Sequence, residues 1–131
     1  MSQENVELVR SVYEALNSRD WDAVFRDTHP DFELTTQLGT TAGTRRGRER
    51  VTEFLEDYLA AFDAFIWEPE QFFEGRDRVV GFVTTRALPR GGSVELVVRN
   101  GWWWTVRDGV IVSVKSFPEP AKALEAAGLS E

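Results

Sequence analysis

The chain has 131 residues, of which 42% are hydrophobic and 28% charged. This balance is typical of one globular domain with its own core and excludes a disordered chain. The 22 acidic residues outnumber the 15 basic ones for a net charge of −7, which argues against a nucleic-acid partner. The absence of cysteine excludes disulfides, thiolate nucleophiles and cysteine metal sites.

The sequence carries no targeting or membrane signal. Residues 1–10 include Glu4 and Glu7 and no continuous apolar run, so no signal peptide is predicted. No apolar stretch approaches the roughly 20 residues that span a bilayer. We therefore expect a cytoplasmic protein without a membrane partner.

Two helices are predicted at the start of the chain. An apolar stripe at three- and four-residue steps predicts the first, and its members are Val6, Val9, Val12, Tyr13 and Leu16. Asn17, Ser18 and Asp20 interrupt the stripe and supply oxygens that can cap a second helix from Trp21 to Asp27. The dipeptide His29-Pro30 is expected to end it, because a residue before proline disfavours the helical conformation.

A short strand and a third helix come next. Phe32, Leu34 and Thr36 alternate with polar residues and should share one face of the strand. Residues 39–47 are predicted to form a polar loop. The third helix is indicated by apolar residues at i, i+3, i+4, i+7, i+8 and i+11, namely Val51, Phe54, Leu55, Tyr58, Leu59 and Phe62.

From Phe65 onward the apolar period changes to two, which predicts β-structure. Strands are expected near 64–74, 79–88, 93–107 and 110–117. The short turns between them, such as Asp108-Gly109, predict an antiparallel meander. A final short helix is expected over 121–127, after Pro120 and before Gly128. Helices on one face of a long bent sheet leave a hollow that side chains only partly fill.

Four stretches resemble the SnoaL-like branch of the nuclear-transport-factor-2-like (NTF2-like) superfamily, which shares the ketosteroid-isomerase-like, cystatin-like fold. They are Val12–Asp22, Gly47–Tyr58, Trp104–Val112 and Ala123–Leu129. The resemblance implies a single α+β domain over 1–131, shaped as a cone. In that fold, three N-terminal helices pack on a strongly curved, mixed, mostly antiparallel sheet, and a short helix ends the chain. The superfamily includes isomerases, cyclases, dehydratases, epoxide hydrolases and non-catalytic binding modules, so the fold leaves the activity open.

The catalytic patterns of these relatives are not reproduced. Aligned with ketosteroid isomerases, the tyrosine position falls on Val12, the base on Thr36 and the second acid near Trp102. Arg86 could stand where epoxide hydrolases of this fold have an arginine, but no carboxylate follows it. The catalytic candidates that remain are Thr36, Arg86 and Asn100. Thr36, Asn100 and Tyr58 would orient a substrate, and Arg86 would stabilise developing negative charge.

The run Trp102-Trp103-Trp104 is the most unusual feature of the chain. Neighbours in a strand point to opposite faces, so Trp102 and Trp104 should face the helices together with Asn100. There they would either line the hollow and stack on a ring-shaped ligand or simply pack the core. Trp103 would lie on the convex face, as a homodimer contact or as a half-covered surface aromatic.

The sequence thus predicts an apolar pocket for a small apolar or aromatic molecule in a homodimeric protein, without cofactor or metal. The predicted pocket residues are Trp21, Phe25, Phe32, Thr36, Phe54, Tyr58, Phe82, Thr84, Arg86, Asn100, Trp102, Trp104, Val112, Val114 and Ser116. If the protein is an enzyme, we expect cofactor-free isomerisation, cyclisation or dehydration. The alternative is a non-catalytic dimerisation or ligand-binding module whose pocket is filled by its own side chains. The single histidine, His29, is expected in a surface turn.

Overall fold

The structure is a computed structural model that describes residues 3–37 and 42–131. These residues form an α+β domain with four helices and six strands. In chain order they are α1 (Gln3–Ser18), α2 (Trp21–Val24), β1 (Thr28–Thr36), β2 (Gly43–Arg46), α3 (Arg48–Leu59), β3 (Phe62–Gly75), β4 (Arg78–Pro89), β5 (Leu96–Arg107), β6 (Val110–Phe117) and α4 (Pro120–Ala126).

The six strands form one curved, mixed sheet in the order β2-β1-β6-β5-β4-β3. Strands β3 to β6 are the antiparallel meander that the alternating pattern predicts, and β1 pairs in parallel with β6. Register shifts interrupt β3 near Asp63 and Glu70 and the β5–β6 pair near Val112. Such bulges bend a strand and increase its twist, which helps the sheet to curve around a hollow.

The helices differ in part from the expected arrangement. Three helices precede β3, but β1 and β2 separate α3 from the other two, and α2 is a single turn that stops at Val24 instead of Asp27. The chain leaves α2 at Phe25 and already pairs with β6 at Thr28, so His29 and Pro30 belong to β1. The longest helix, α1, has 16 residues. None of the helices in 3–37 and 42–131 could cross a membrane.

Strand β2 lies within the segment that was expected to be a loop over 39–47. Its residues pair antiparallel with β1, with Arg45 opposite Leu34 and Thr44 opposite Thr35. Four residues are too short for a recognisable alternating pattern, which explains why the sequence did not predict this strand. Residues 39–41 of the expected loop lie outside the described part of the chain.

Apolar side chains cover both faces of the sheet. The larger cluster fills the concave face beneath α1, α2 and α3. The smaller one lies on the convex face beneath α4, where Val80 packs with Ala123 and Leu124. Gly101 of β5 allows α4 to approach the sheet this closely, because a Cβ atom at position 101 would lie 2.6 Å from Cβ of Ala123.

Candidate functional site

A cavity of about 180 Å³ lies between α3 and the concave face of the sheet. It widens to solvent at β5, where Leu96 and Val98 are 48% and 47% exposed. The residues that line it are Leu34, Thr36, Phe54, Leu55, Tyr58, Phe62, Phe65, Trp67, Thr85, Ala87, Leu96, Val98, Asn100, Trp102 and Ser116. We refer to this space as the main cavity. It exceeds the roughly 150 Å³ of an apolar void that accepts benzene, and it is open on one side, so it can enclose one ring while the rest of a longer molecule extends towards solvent.

One wall of the main cavity is almost entirely aromatic. Six rings from α3, the start of β3 and β5 form a continuous chain of contacts, with centroid separations between 4.7 Å and 6.2 Å. In order of contact, they are Phe54, Tyr58, Phe62, Phe65, Trp67 and Trp102. Most of these pairs are tilted or edge-to-face, a geometry that favours ring packing. The wall therefore offers ring faces and edges to a planar ligand.

The sheet contributes a polar belt to the same cavity. Four neighbouring strands each supply one side chain, namely Thr36 of β1, Ser116 of β6, Asn100 of β5 and Thr85 of β4. The Thr85 hydroxyl donates to Oδ1 of Asn100 at 3.0 Å. Within the described part of the chain, the Asn100 amide nitrogen donates no hydrogen bond. Its two hydrogens can therefore reach an acceptor in the cavity.

Residues at and just after the C-terminal end of α1 hold the aromatic wall in place through the backbone of β3. Strand β3 is an edge strand, and its free backbone groups at Trp67 pair with the side chain of Asn17. Arg19 donates to the Phe65 carbonyl at 2.9 Å, and its guanidinium lies 5.7 Å from the Trp67 ring centroid. These contacts cover a sheet edge and hold two cavity-lining residues in place.

A second, smaller cavity of about 30 Å³ lies deeper in the domain. It shares Leu34, Leu55 and Trp102 with the main cavity, so these three side chains form the partition between them. The predicted pocket residues Phe25, Phe32, Trp104 and Val114 line only this smaller void. The single pocket predicted from the sequence therefore corresponds to two adjacent cavities.

The tryptophans of β5 follow the expected alternation. Trp102 and Trp104 lie in the concave cluster, and Trp103 packs on the convex side beside α4. Trp104 is only 2% exposed, and its indole nitrogen donates to the Tyr13 hydroxyl at 2.9 Å. Trp104 is thus a core residue, and of the two inward indoles only Trp102 contacts the main cavity.

Three predicted pocket residues of β4 point the other way. Phe82 lies in the convex cluster, Thr84 donates to Glu70 at 2.7 Å, and Arg86 donates to Glu68 at 2.8 Å. The residues of β4 that face the cavity are Thr85 and Ala87. The apolar pattern could not indicate the inner face here, because α4 covers the outer face and both faces are apolar. Arg86 therefore cannot stabilise charge inside the cavity.

Two further expectations also fail. Val112 is the unpaired residue of the β5–β6 bulge, since Thr105 pairs with Ser113 and Val106 with Ile111. The bulge shifts the alternation by one residue and excludes Val112 from both cavities. Trp21 packs against the concave cluster from α2 and lines neither space.

Several residues that line the main cavity are not indicated by the sequence pattern. Phe62, Phe65 and Trp67 carry much of the aromatic wall, and Thr85 completes the polar belt. The i, i+2 spacing of Phe65 and Trp67 is a signal that could have placed them on one face. Arg45 was also missed. Its guanidinium carbon lies 4.0 Å from the ring centroid of Phe54.

The titratable groups of the described lining are limited to one phenol. Burial raises the pKa of Tyr58 above its ordinary value, so the hydroxyl is neutral at physiological pH. His29 is exposed, and its ring nitrogen accepts from the Asp31 backbone at 2.9 Å, away from the cavity. Among residues 3–37 and 42–131, no group of three or more histidines or carboxylates is positioned to hold a metal.

A family model described as a SnoaL-like domain matches residues 9–114. The chain belongs to this family. The match extends from Val9 of α1 to Val114 of β6, and it includes the described residues that line the main cavity except Ser116. No curated protein sequence matches this SnoaL-like domain.

Solved structures share the fold of the SnoaL-like domain over almost its whole length. An NTF2-like protein of unknown function from Burkholderia pseudomallei is 24% identical, with 93% of this chain and 95% of that one covered and a TM-score of 0.81. TerC crystallised with polyporic acid is 25% identical, with 93% and 96% covered and a TM-score of 0.81. Rv0760c from Mycobacterium tuberculosis, in complex with estradiol-17β-hemisuccinate, is 17% identical, with 88% and 93% covered and a TM-score of 0.75.

Proposed function

We propose that this SnoaL-like domain binds a small aromatic molecule in the main cavity. The proposal rests on the combination of an aromatic wall and a polar belt in the same cavity. The aromatic residues of α3 and β3 provide apolar contact area, and the polar belt on the sheet provides a few directed hydrogen bonds. A concave apolar site with a small number of convergent polar groups is the usual form of a small-molecule site.

The bound molecules of two structural neighbours support a ring-shaped ligand. TerC was crystallised with polyporic acid, and Rv0760c forms a complex with estradiol-17β-hemisuccinate. A ring inserted between Tyr58 and Trp102 would remove apolar surface from water on both of its faces, at about 25 cal/mol for each Å². Asn100, Ser116 and Tyr58 would then orient its polar substituents.

The lining favours binding over acid–base catalysis. The described residues supply hydrogen-bond donors and acceptors, and none of them is a carboxylate or an imidazole. Positions of catalytic acids and bases in ketosteroid isomerases fall on Thr36 and Trp102, which cannot take up a proton at neutral pH. Arg86 is held outside by Glu68 and Glu95. The described lining can therefore orient and desolvate a ligand, and none of its groups is a base that could abstract the protons of the ligand.

We also propose that the convex face of the sheet pairs with a second copy of the chain. Its exposed part carries Ile66 and Val97, which are 41% and 52% exposed, between the ion pairs Arg86–Glu68 and Arg99–Glu70. Apolar residues with both signs of charge suit a two-fold interface, where each patch meets its own copy. Trp103 lies on this face beside α4, and its role as an interface residue stays a prediction.

Tryptophan fluorescence provides a direct test of ligand binding. Trp67 and Trp102 line the main cavity, so a bound ring should change the emission of the protein in a saturable way. The probe is biphenyl-4-carboxamide, a neutral two-ring molecule. The blocking variant is Ala87→Leu, which adds side-chain atoms to the cavity wall. Its control is Ala64→Leu, which makes the same change at an exposed position of β3.

Saturable binding by the parent and by Ala64→Leu, with at least tenfold weaker binding by Ala87→Leu, supports the proposal. Absence of a saturable change in the parent across biphenyl, steroid and polyketide probes contradicts it and favours a self-filled module. Native mass spectrometry of freshly purified protein adds an independent readout, because a copurified molecule reports its own mass.

A further inference from the structure

Arg45 places a positive charge beside the main cavity. Its neighbour across the β1–β2 pair is Leu34, a lining residue, so its side chain emerges on the concave face of the sheet. The guanidinium contacts two parts of the lining. Its carbon lies 4.0 Å from the ring centroid of Phe54, and one of its nitrogens donates to the Thr36 hydroxyl at 3.4 Å.

The other arginines of this region are arranged differently. The run at 45–50 contains four, and in an acidic chain it is the densest group of positive charge. Arg46 lies on the opposite face of β2 and donates to Glu33 at 2.9 Å. Arg48 pairs with Asp22 and lies over Phe25, which lines only the smaller cavity. Within the described part of the chain, the contacts of this run with the wall of the main cavity are those of Arg45.

We propose that Arg45 recognises an acidic group on the ligand, so that the ligand class is an aromatic acid and not a neutral arene. The inference rests on the proposed ligand site. The ring system would occupy the aromatic wall, and a carboxylate or comparable anion would lie beside Thr36 within reach of the guanidinium. The fork of an arginine matches a carboxylate with two parallel hydrogen bonds.

The charges around the main cavity make binding of an anionic ligand depend on Arg45. The described residues that line the main cavity carry no ionised side chain, so an anion inside it would otherwise lose its hydration without replacement. The net charge of −7 repels anions at long range, and a local cation is needed to reverse that preference. Arg45 stacks on Phe54, which keeps its planar group next to the ring wall while its edges donate hydrogen bonds.

The test compares two probes of the same shape, biphenyl-4-carboxylate and biphenyl-4-carboxamide, by fluorescence titration. The parent should bind the acid about tenfold or more tightly than the amide, since a hydrogen bond to a charged group contributes about that factor. Arg45→Met preserves the length and apolar cover of the side chain and should remove the preference, so that the acid and the amide bind with equal affinity. The matched control Arg46→Met removes one charge from the other face of the same strand and should preserve the preference.

The outcomes separate this inference from the proposed function. If the parent binds both probes equally, or if Arg45→Met still prefers the acid, the role of Arg45 is wrong and the ligand site stands. If the parent binds neither probe nor any other ring compound, the proposed function fails and this inference fails with it. If Arg45→Met binds neither probe, Arg45→Lys decides, because a preserved preference supports the charge and a lost preference contradicts it.

Discussion

The side-chain amide of Asn17 forms two hydrogen bonds with the backbone of Trp67. Its nitrogen donates to the Trp67 carbonyl at 2.8 Å, and its oxygen accepts from the Trp67 N–H at 2.9 Å. Because β3 is the last strand of the sheet, these backbone groups have no strand beyond them. Asn17 thus forms the hydrogen bonds that a further strand would otherwise form with Trp67, a residue that lines the main cavity.

Asn17→Ala should lower the free energy of unfolding by about 2 kcal/mol, since two part-buried backbone groups lose their partner. It should also weaken ring-ligand binding, because Trp67 is no longer fixed. Urea denaturation and fluorescence titration measure the two effects. Ser18→Ala is the control, because that hydroxyl is exposed and bonds only within α1, and its effect should stay within about 0.5 kcal/mol. Equal stabilities of the two variants would contradict the role of Asn17.

Loss of the hydroxyl group should mainly lower stability at Tyr13 and mainly weaken ligand binding at Tyr58. Tyr13→Phe leaves the buried Trp104 indole without an acceptor and should cost about 1–3 kcal/mol, with ligand affinity unchanged. Tyr58→Phe removes the hydroxyl of a residue that lines the main cavity and should change stability by less than about 0.5 kcal/mol while weakening binding of hydrogen-bonding ligands. Denaturation and titration of both variants check this. The assignment of Tyr13 to the core and Tyr58 to the site is wrong if the two variants behave alike.

Alkaline pH should destabilise the domain through the same residues. Burial raises the pKa of Tyr13 and Tyr58 above the ordinary value of 10.0. A tyrosine in the unfolded chain therefore loses its proton at a lower pH than the same tyrosine in the folded chain. The free energy of unfolding keeps its full value below pH 10.0 and falls as pH rises above it. Each tyrosine contributes at most about 1.4 kcal/mol per pH unit. Urea unfolding across this range should show a shallower decline for Tyr13→Phe than for the parent. Parallel declines would contradict the prediction.

The arrangement of strands was largely predictable because its signals are local. The two-residue turns, Arg76-Asp77 between β3 and β4 and Asp108-Gly109 between β5 and β6, combine turn residues with positive backbone φ angles, and such residues are recognisable in a sequence. Strand β6 occupies the 110–117 range that the pattern predicts. The second helix was overestimated, because pairing of Thr28 with Ile111 is a long-range contact that no local pattern reports.

The candidate site was harder to predict, because it depends on which face of each strand looks inward. On β5 the alternation holds, and the run Trp102-Trp103-Trp104 divides as expected. On β4 the outer face is covered by α4, so Phe82 resembles an inward residue although it is not one. On β6 the bulge at Val112 changes the parity partway along the strand. Arg45 could not be assigned, because its place depends on the pairing of the short strand β2.

Gly101 should be intolerant of any side chain. A Cβ atom there would lie 2.6 Å from Cβ of Ala123 and 2.8 Å from Cα of Pro120, so α4 would have to move. Overpacking of this kind costs about 1–3 kcal/mol. Gly101→Ala should therefore destabilise the domain and increase exposure of Trp103, measured by urea unfolding and iodide quenching of tryptophan emission. The double variant Gly101→Ala with Ala123→Gly removes one of the clashes, so its loss of stability should be smaller than the sum of the losses of the two single variants. Strictly additive losses would contradict direct packing of α4 on β5.

The proposed homodimer predicts different effects for two neighbouring residues of β5. Val97 and Leu96 are similarly exposed, at 52% and 48%, but Val97 lies on the convex face and Leu96 at the cavity mouth. Val97→Glu places a carboxylate next to Arg86, its partner across the β4–β5 pair, so each copy can accommodate it alone. In a two-fold interface, however, the new charge would be desolvated in both copies at once.

Light scattering coupled to size-exclusion chromatography should therefore give the mass of a dimer for the parent and of a monomer for Val97→Glu. Leu96→Glu is the matched control, and it should remain dimeric because the opposite face of the strand takes no part in the contact. An unchanged mass for Val97→Glu, or a monomeric parent, contradicts dimerisation through the convex face. If Leu96→Glu alone dissociates, the contact surface is the cavity mouth, and ligand entry would then compete with assembly.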